Sequence, residues 1–188
     1  EIGVQNSIDP SLLQYEGRNY LVWGSFRGIY VIELTADGLS IMSGAKKKRI
    51  AGTAFEAVYI HKHGDYYYMF ASIGSCCQGV KSTYKVVVGR SKKVWGPYKD
   101  KTGKPMLKNG YSLVIGANDH FVGNVHGSQI IRDDAGQDWL LYHGFSRSTP
   151  ENGRILLLDQ IKWDQEGWPY VEGGSPSYET QKAPVFNN

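Results

Sequence analysis

Asn6-Ser7-Ile8-Asp9-Pro10-Ser11-Leu12-Leu13 has a counterpart further along the chain in Ala54-Phe55-Glu56-Ala57-Val58-Tyr59-Ile60. Each stretch places one carboxylate at the start of an apolar run that favours a β-strand. The eleventh residue after Asp9 is Tyr20, and the eleventh after Glu56 is Tyr67, each within an aromatic, strand-forming run. The two carboxylates therefore hold the same position in two sequence repeats.

A third copy of the pattern begins at His126 and leads, through a turn two residues longer, to Trp139-Leu140-Leu141-Tyr142-His143. In a radially repeated all-β fold, equivalent positions of the repeats point toward a common axis. A repeat that starts with an ionisable group in every copy would build a polar centre. The pattern thus predicts an all-β, propeller-like fold with Asp9, Glu56 and His126 near its axis.

Composition supports strands over helices and excludes two classes of partner. Aromatic residues make up 13% of the 188 residues and glycine numbers 23, which is typical of short strands joined by tight turns. A net charge of +3 is too weak to indicate a nucleic-acid partner, and the basic run Lys46-Lys47-Lys48-Arg49 is expected to be a solvated loop. No apolar run approaches the roughly 18 residues of a membrane helix, so no membrane partner is expected.

The two cysteines, Cys76 and Cys77, are adjacent. Ordinary disulfide geometry requires Cα atoms farther apart than one peptide link allows, so no disulfide is expected between them. Their spacing also lacks the pattern of a zinc site. We expect them to shape a loop through their backbone, without thiol chemistry.

The repeats divide the chain into a partial propeller domain at residues 1–172 and a polar tail at residues 173–188. The repeats cover about residues 8–42, 55–107 and 126–171. The segment between the second and third repeats is Gly-rich and long enough to be functional. Propellers need at least four blades to close a ring, so three repeats would leave the ring open.

Several stretches taken together resemble the arabinanases of glycoside hydrolase family 43. The resemblance runs from Asn6 to Val171 and rests on the following stretches: Asn6-Ser7-Ile8-Asp9-Pro10-Ser11-Leu12, Trp23-Gly24-Ser25-Phe26, Gly28-Ile29-Tyr30, Phe55-Glu56-Ala57-Val58-Tyr59-Ile60, Phe70-Ala71-Ser72-Ile73-Gly74-Ser75-Cys76-Cys77, Val88-Gly89-Arg90-Ser91 and Gly136-Gln137-Asp138-Trp139-Leu140-Leu141-Tyr142-His143. The combination is specific, although each stretch alone would be a weak signal.

The resemblance implies a five-bladed β-propeller that cleaves α-1,5-linked arabinan or arabino-oligosaccharides with inversion, using three carboxylates. Glu56 matches the general acid and Asp9 the carboxylate that tunes the pKa of the acid and orients the substrate. The general base of the first blade has no counterpart in this sequence. The chain therefore resembles a C-terminal portion of about three blades, and a second chain carrying the N-terminal blades and the base is an expected partner.

The chemistry of inversion agrees with these roles. A protonated carboxylic acid must lie beside the leaving oxygen, with an ionised base roughly 6.5 to 9.5 Å away across the sugar. The mechanism therefore requires a raised pKa for Glu56, which a nearby ionised Asp9 would favour. Phe55 and Tyr59 are expected to add desolvation.

The resemblance also implies a calcium ion in the axial channel, with His126 beside it. Because calcium prefers oxygen ligands, we expect His126 to act through a water molecule. Ser25, Phe26, Ser75 and Arg154 are expected to bind substrate, by stacking, short polar groups and a guanidinium suited to bidentate contacts. A secreted or periplasmic location is expected, although these residues include no signal peptide.

Other interpretations remain open at the level of sequence. Asp9 before Pro-Ser can be a simple turn residue, His126 a structural histidine, and Arg154 a surface charge. The protein could also be a non-catalytic carbohydrate-binding propeller fragment. A β-xylosidase or an α-L-arabinofuranosidase of the same family is a further alternative to an arabinanase.

Overall fold

The computed structural model describes residues 3–187, apart from the side chains of residues 125–128. The chain is all-β, with twelve strands and four short 3₁₀ helices in the part described. The strands are β1 (Ser11–Tyr15), β2 (Arg18–Trp23), β3 (Ile29–Glu33), β4 (Lys48–Ala51), β5 (Glu56–His63), β6 (Tyr66–Ile73), β7 (Lys85–Ser91), β8 (Ser112–Ile115), β9 (Phe121–Arg132), β10 (Asp138–Ser146), β11 (Arg154–Trp163) and β12 (Pro169–Tyr170). The 3₁₀ helices are Gly79–Lys81, Met106–Lys108, Pro150–Asn152 and Glu172–Gly174.

The strands form three four-stranded sheets, each built from one continuous stretch of chain. Strands β1 to β4, β5 to β8 and β9 to β12 each lie side by side in sequence order. Tight connections make such consecutive antiparallel pairing the simplest arrangement for short strands. By internal contacts the chain divides into a first unit, Glu1–Ala71 with Val88–Ser112, and a second unit, Ser72–Val87 with Leu113–Asn188. The boundary falls within strands of the middle sheet.

The first unit contains the whole β1–β4 sheet. Strand β1 alternates half-buried and exposed residues, as expected of a strand with one solvated face. Antiparallel pairing places Leu13 opposite Tyr20 and Val22 opposite Val31. The core of this unit is apolar and aromatic, with Trp23, Ile29, Val31, Ile50, Phe55, Tyr68, Met69, Phe70, Val88, Tyr98 and Met106 buried.

The basic run differs from the sequence expectation of a solvated loop. Lys48 and Arg49 open strand β4, which pairs with β3 by placing Arg49 opposite Tyr30. Both cationic side chains remain exposed, while Ile50 and Ala51, which follow them, are buried. Burial of these two apolar residues holds the strand against the sheet, while the charged side chains at the start of the strand remain in solvent.

The second unit contains the β9–β12 sheet and the C-terminal tail. Tyr142 and Asp159 form a buried pair in which the Tyr142 hydroxyl donates to Asp159 Oδ2 at 2.6 Å. The other carboxylate oxygen of Asp159 accepts the backbone N–H of Ser177 at 3.1 Å. Further along the tail, the Val185 N–H donates to Asp133 Oδ2 at 3.2 Å. The polar tail is therefore attached to this unit by buried carboxylates.

His126 lies inside β9, whose backbone pairs it with Tyr142 of β10. The sequence pattern predicts that the third repeat begins at His126, but the strand that contains this residue already begins at Phe121. An irregularity between Leu141 and Tyr142 shifts the register next to it. The side chain of His126 lies outside the described residues, so its predicted axial position stays a prediction. No helix in the described part is long and apolar enough to cross a membrane.

Candidate active site

Glu56 is the first residue of β5, and its side chain is withdrawn from solvent. Only 7% of the residue is exposed. Its Oε2 accepts a hydrogen bond from the Ser25 hydroxyl at 2.8 Å. An acidic side chain is rarely buried in a protein unless polar groups satisfy it. The predicted acid is therefore a buried, hydrogen-bonded carboxyl group.

Ser25 is held in place by Asn6 and by a tight turn. The Asn6 side-chain amide donates to the Ser25 carbonyl oxygen at 3.0 Å and to its hydroxyl oxygen at 2.9 Å. Because the Ser25 oxygen accepts from Asn6, its own proton points toward Glu56. Gly24 precedes it with φ 127°, and a Cβ there would lie 2.3 Å from the Gly28 carbonyl oxygen. A glycine is therefore required to place Ser25 beside the acid.

Asp9 is attached to the residue that follows Glu56. The Ala57 N–H donates to Asp9 Oδ2 at 3.1 Å. Burial raises the pKa of Asp9 above its usual range, and the hydrogen bond from Ala57 opposes that shift. The Ser11 hydroxyl makes a second link by donating to the Val58 carbonyl oxygen at 3.0 Å. The segment that leads into β1 and the start of β5 thus hold Asp9 and Glu56 in a fixed arrangement.

Three non-glycine residues at this site have a left-handed backbone. The φ angles are 55° for Asp9, 50° for Phe26 and 49° for Ala57. L-residues adopt this region at a cost, and such residues concentrate at functional sites. The half-buried Phe26 is fixed there by its N–H, which donates to the Phe55 carbonyl oxygen at 2.9 Å. The first unit therefore brings Asp9, Ser25, Phe26 and Glu56 together.

Two contributors to this site were not predicted. Asn6 lies within the motif that carries Asp9, yet its link to Ser25 spans 19 positions of the chain. Asn109 supports the site from farther away, since its Oδ1 accepts the Ala54 N–H at 3.2 Å. The only local signal for Asn6 was its position at the start of the repeated motif that contains Asp9. The sequence around Asn109 gives no such signal.

The second unit contains the other two predicted substrate-binding residues. Half-buried Ser75 is engaged with Thr83, because its N–H and hydroxyl contact Thr83 Oγ1 at 2.9 and 3.0 Å. Exposed Arg154 donates from Nη2 to Cys77 Sγ at 3.2 Å. The Arg154 guanidinium also lies 6.0 Å from the centre of the Phe145 ring. Arg154 is thus an exposed cation held beside a sulfur atom and an aromatic ring.

The expectation of no disulfide was wrong, because Cys76 and Cys77 are bonded to each other. Their Cα atoms are 3.8 Å apart, as the peptide link between them requires. Cys77 adopts a left-handed φ of 67°, which turns its side chain back toward its neighbour. General disulfide statistics did not anticipate this local backbone conformation. Cys77 is exposed and Cys76 half-buried.

The calcium expectation stays a prediction. Among the described residues, no group of three or more His, Cys, Asp or Glu side chains could hold a metal ion, but calcium is also bound by backbone carbonyl oxygens and water. His126, on which the expectation rests, has no described side chain. We therefore derive no step of the chemistry from a metal.

The site contains two carboxyl groups that lie in different environments. Glu56 is buried and linked to a hydroxyl, whereas Asp9 is half-buried and linked to a backbone N–H. Carboxyl groups in unlike environments can hold different protonation states at one pH, which is the requirement for general acid catalysis.

Comparison with known proteins identifies the family of this chain and several relatives. The family model for glycosyl hydrolases family 43 matches residues 1–169. The chain is 39% identical over 183 residues to the extracellular exo-α-(1→5)-L-arabinofuranosidase ArbA of Cellvibrio japonicus, with 89% of this chain and 52% of the relative covered. It is 36% identical over 171 residues to the extracellular endo-α-(1→5)-L-arabinanase 1 of Bacillus subtilis, with 87% and 50% covered.

Comparison with solved structures identifies relatives of the same kind. The Cellvibrio cellulosa α-L-arabinanase complexed with arabinohexaose superposes with a TM-score of 0.81 at 36% identity, covering 87% of this chain and 56% of the other. The chain thus spans about half the length of the relatives it matches. Because the family model covers most of its residues, the chain belongs to glycosyl hydrolases family 43.

Proposed function

We propose that this chain is part of a glycoside hydrolase that cleaves α-1,5-linked L-arabinan or its oligosaccharides with inversion of configuration. The observation that carries the proposal is the buried Glu56 carboxyl group, which is linked through Ser25 to Asn6. The next residue, Ala57, donates its N–H to Asp9. The names of the two relatives, an exo-arabinofuranosidase and an endo-arabinanase, supply the substrate class.

Glu56 acts as the general acid in this proposal. Its proton passes to the glycosidic oxygen as the bond from that oxygen to the anomeric carbon breaks. A water molecule on the opposite face of the sugar forms the new bond and gives its proton to the base. Burial supports this role because removing a carboxyl group from water favours its neutral form.

Asp9 tunes and positions the acid. A negative charge on Asp9 disfavours ionisation of a neighbouring carboxyl group, which keeps Glu56 protonated in the resting site. The hydrogen bond from Ala57 links Asp9, just before β1, to the start of β5, which carries Glu56. Ser25 positions Glu56, while Phe26, Ser75 and Arg154 bind substrate, the ring of Phe26 by stacking on a sugar face.

The general base lies outside these 188 residues in this proposal. The three sheets would be three blades of a five-bladed propeller, and the remaining blades, on a second chain, would supply the base. An apolar strip on β11 supports further packing, because Leu156 is 72% exposed and Leu158 37% exposed on the same strand face. Strand faces of this kind are normally covered by a neighbouring sheet.

A calcium ion beside His126 and an extracellular location complete the proposal. The names of both relatives include the word extracellular, which supports secretion or export to the periplasm. Calcium is tested by exhaustive chelation of the active protein. We expect lower activity and a lower melting temperature, both restored by added Ca²⁺. Unchanged values of both would remove calcium from the proposal.

The acid assignment is tested by Glu56→Gln in the active protein. We expect hydrolysis of linear arabinan to fall by at least about a hundredfold, while aryl arabinosides whose leaving group needs no protonation are largely spared. Glu179→Gln, in the exposed tail, is the matched control. Equal loss on both substrates would contradict the acid role. Arabinan binding without hydrolysis, unchanged by Glu56→Ala, would favour a non-catalytic binding module.

Exo action is a second candidate, favoured by the 39% identity to a relative named as an exo-acting arabinofuranosidase. Product analysis separates the two modes. Release of single arabinose units from the start of the reaction indicates exo action, whereas a mixture of oligosaccharides indicates endo action. Parallel assays with an aryl xyloside test the β-xylosidase alternative.

A further inference from the structure

The first unit carries a row of four aromatic rings that the proposed catalytic chemistry does not use. The ring centres of Tyr67 and Tyr15 are 5.9 Å apart, those of Tyr15 and Trp95 are 5.9 Å apart, and those of Trp95 and Tyr20 are 4.5 Å apart. All four residues are half-buried. Rings that serve only as core in this unit, such as Tyr68 and Tyr98, are instead almost fully buried.

The row is held in position by contacts of its own. Tyr15 meets both Tyr67 and Trp95 edge-on, with an interplanar angle of 80° in each case. The Tyr15 hydroxyl is hydrogen-bonded to Glu16, which raises the pKa of Tyr15 to about 12. The Lys62 ammonium lies 5.7 Å from the centre of the Tyr67 ring. Rings fixed in this way lose little conformational entropy when a ligand stacks on them.

A cavity opens at each end of the row. The larger, of about 680 Å³, is bordered by Tyr15, Tyr67 and the exposed Leu12, with Gln14, Glu16 and Lys62 at its polar edge. The smaller, of about 220 Å³, is bordered by Tyr20 and Trp95. The larger cavity lies within the size range of small-molecule sites.

This row lies away from the carboxyl groups. Tyr15 ends β1, whereas Asp9 precedes that strand by two residues. At about 3.3 Å per strand residue, the four steps along β1 from Ser11 to Tyr15 alone amount to roughly 13 Å. Lys62 likewise lies near the end of β5, the strand that Glu56 begins. A ligand seated on the row would not contact Glu56 through the same sugar.

We propose that the row Tyr67–Tyr15–Trp95–Tyr20 and the larger cavity form a second carbohydrate-binding site, which takes a segment of neutral polysaccharide. Sugar rings present C–H faces that stack on tyrosine and tryptophan, and hydroxyl groups that bind carboxylate, amide and ammonium groups. The row and its polar edge supply both kinds of contact. Charged groups of both signs at the edge suit a neutral chain better than a strongly charged one.

The site would hold the polymer on the protein while another part of the same chain is cleaved. The choice of arabinan as the ligand rests on the proposed function, whereas the existence of the site does not. Two separately bound segments raise the overall affinity for long chains through effective concentration, with no gain for short ones. Dependence of affinity on chain length is therefore the signature of the site.

The test measures retention on linear arabinan by affinity electrophoresis, using Leu12→Arg to fill the larger cavity. Leu12 is 59% exposed, so the charged side chain does not enter the core. The matched control is Leu39→Arg, at a leucine that is 84% exposed and does not border either cavity. We expect Leu12→Arg to weaken retention by about tenfold or more, and the control to leave it unchanged. Equal retention by the two variants would overturn the proposal.

A second measurement does not depend on Leu12. Adding arabinohexaose should change the tryptophan fluorescence, and Trp95→Phe, which keeps an aromatic ring, should remove that change. An unaltered change in Trp95→Phe would count against the site. Hydrolysis of linear arabinan by the unsubstituted protein, supplied with the remaining blades, reports separately on the proposed catalytic function. Retention without hydrolysis by that assembly would support the second site and contradict the proposed catalytic function.

Discussion

At the scale of single residues, the decisive feature is the difference in environment between two carboxyl groups. Glu56 is buried against a hydroxyl that Asn6 orients, and Asp9 is half-buried against a backbone N–H. The sequence pattern predicted both residues through their equivalent repeat positions. The partners that distinguish their environments, Asn6 and the N–H of Ala57, could not be predicted, because they depend on backbone geometry across separate strands.

Ser25→Ala should destabilise the protein and impair the acid. The substitution removes a hydrogen bond to the buried Glu56 carboxyl group and deprives the Asn6 amide of one acceptor. We expect a loss of about 1–3 kcal/mol in the free energy of unfolding, measured by urea denaturation, with lower activity on arabinan. Ser43→Ala, at an exposed turn residue, should change neither quantity. Full stability and activity in Ser25→Ala would contradict the structural role assigned to Ser25.

Asp9→Asn should stabilise the fold in a pH-dependent way while reducing activity. Because burial raises the pKa of Asp9, the folded state binds a proton more tightly than the unfolded state. The Asp9 contribution to stability is therefore most favourable below the unfolded pKa, near 3.8, and is lost as the pH rises through the folded pKa.

Asparagine lacks this titration, keeps an oxygen for the Ala57 N–H and tolerates the left-handed φ. The stability of Asp9→Asn relative to the unsubstituted protein should thus increase from about pH 4 to about pH 7. Chemical denaturation across this range measures the difference. A stability difference between the two proteins that stays constant or decreases with pH would show that desolvation does not dominate the pKa of Asp9.

At the scale of elements, the loop after β6 departs most clearly from the sequence expectation. Cys76 and Cys77 form a disulfide, and Arg154 of β11 contacts Cys77. Composition and spacing could not predict this bond, because it depends on a left-handed backbone at one residue. Strand β4 makes the same point, since the exposed basic residues Lys48 and Arg49 pair with β3, and the burial of Ile50 and Ala51 holds the strand on the sheet.

The Cys76→Ser/Cys77→Ser double variant should loosen this loop with little effect on global stability. A disulfide between adjacent residues closes almost no loop, so its entropic contribution to stability is at most about 1 kcal/mol. We expect faster amide hydrogen exchange in the loop that includes Ser75, and an urea midpoint close to that of the unsubstituted protein. A large fall in global stability, or unchanged exchange, would contradict this prediction. Exchange in β2 is the internal control.

At the scale of the whole molecule, the proposed catalytic set is incomplete within these 188 residues. The resemblance assigned an acid and a modulating carboxylate but no base, and the relatives are about twice as long as the matched region. We therefore predict no arabinan hydrolysis by this polypeptide alone, and hydrolysis once the remaining blades are supplied. Release of reducing sugar measures both.

A variant in the apolar strip on β11 tests the same assembly. Leu156→Asp should weaken assembly with the remaining blades, because it places a charge on a surface that becomes buried. Leu113→Asp, at another exposed leucine, should leave assembly intact. Sedimentation of the mixed polypeptides follows the association directly. Hydrolysis by the 188-residue chain alone would show that the base lies within it.

The sequence by itself determined the all-β class, the equivalence of Asp9 and Glu56, and the family to which the chain belongs. These properties depend on residue types at short, regular spacings, which local pattern and repeat register reveal. Only the tertiary structure decided that Asn6 orients Ser25 toward Glu56, that Ala57 anchors Asp9, and that Cys76 and Cys77 are bonded. Each of these contacts depends on backbone angles or on distances between separate strands, and neither quantity is carried by spacing along the chain.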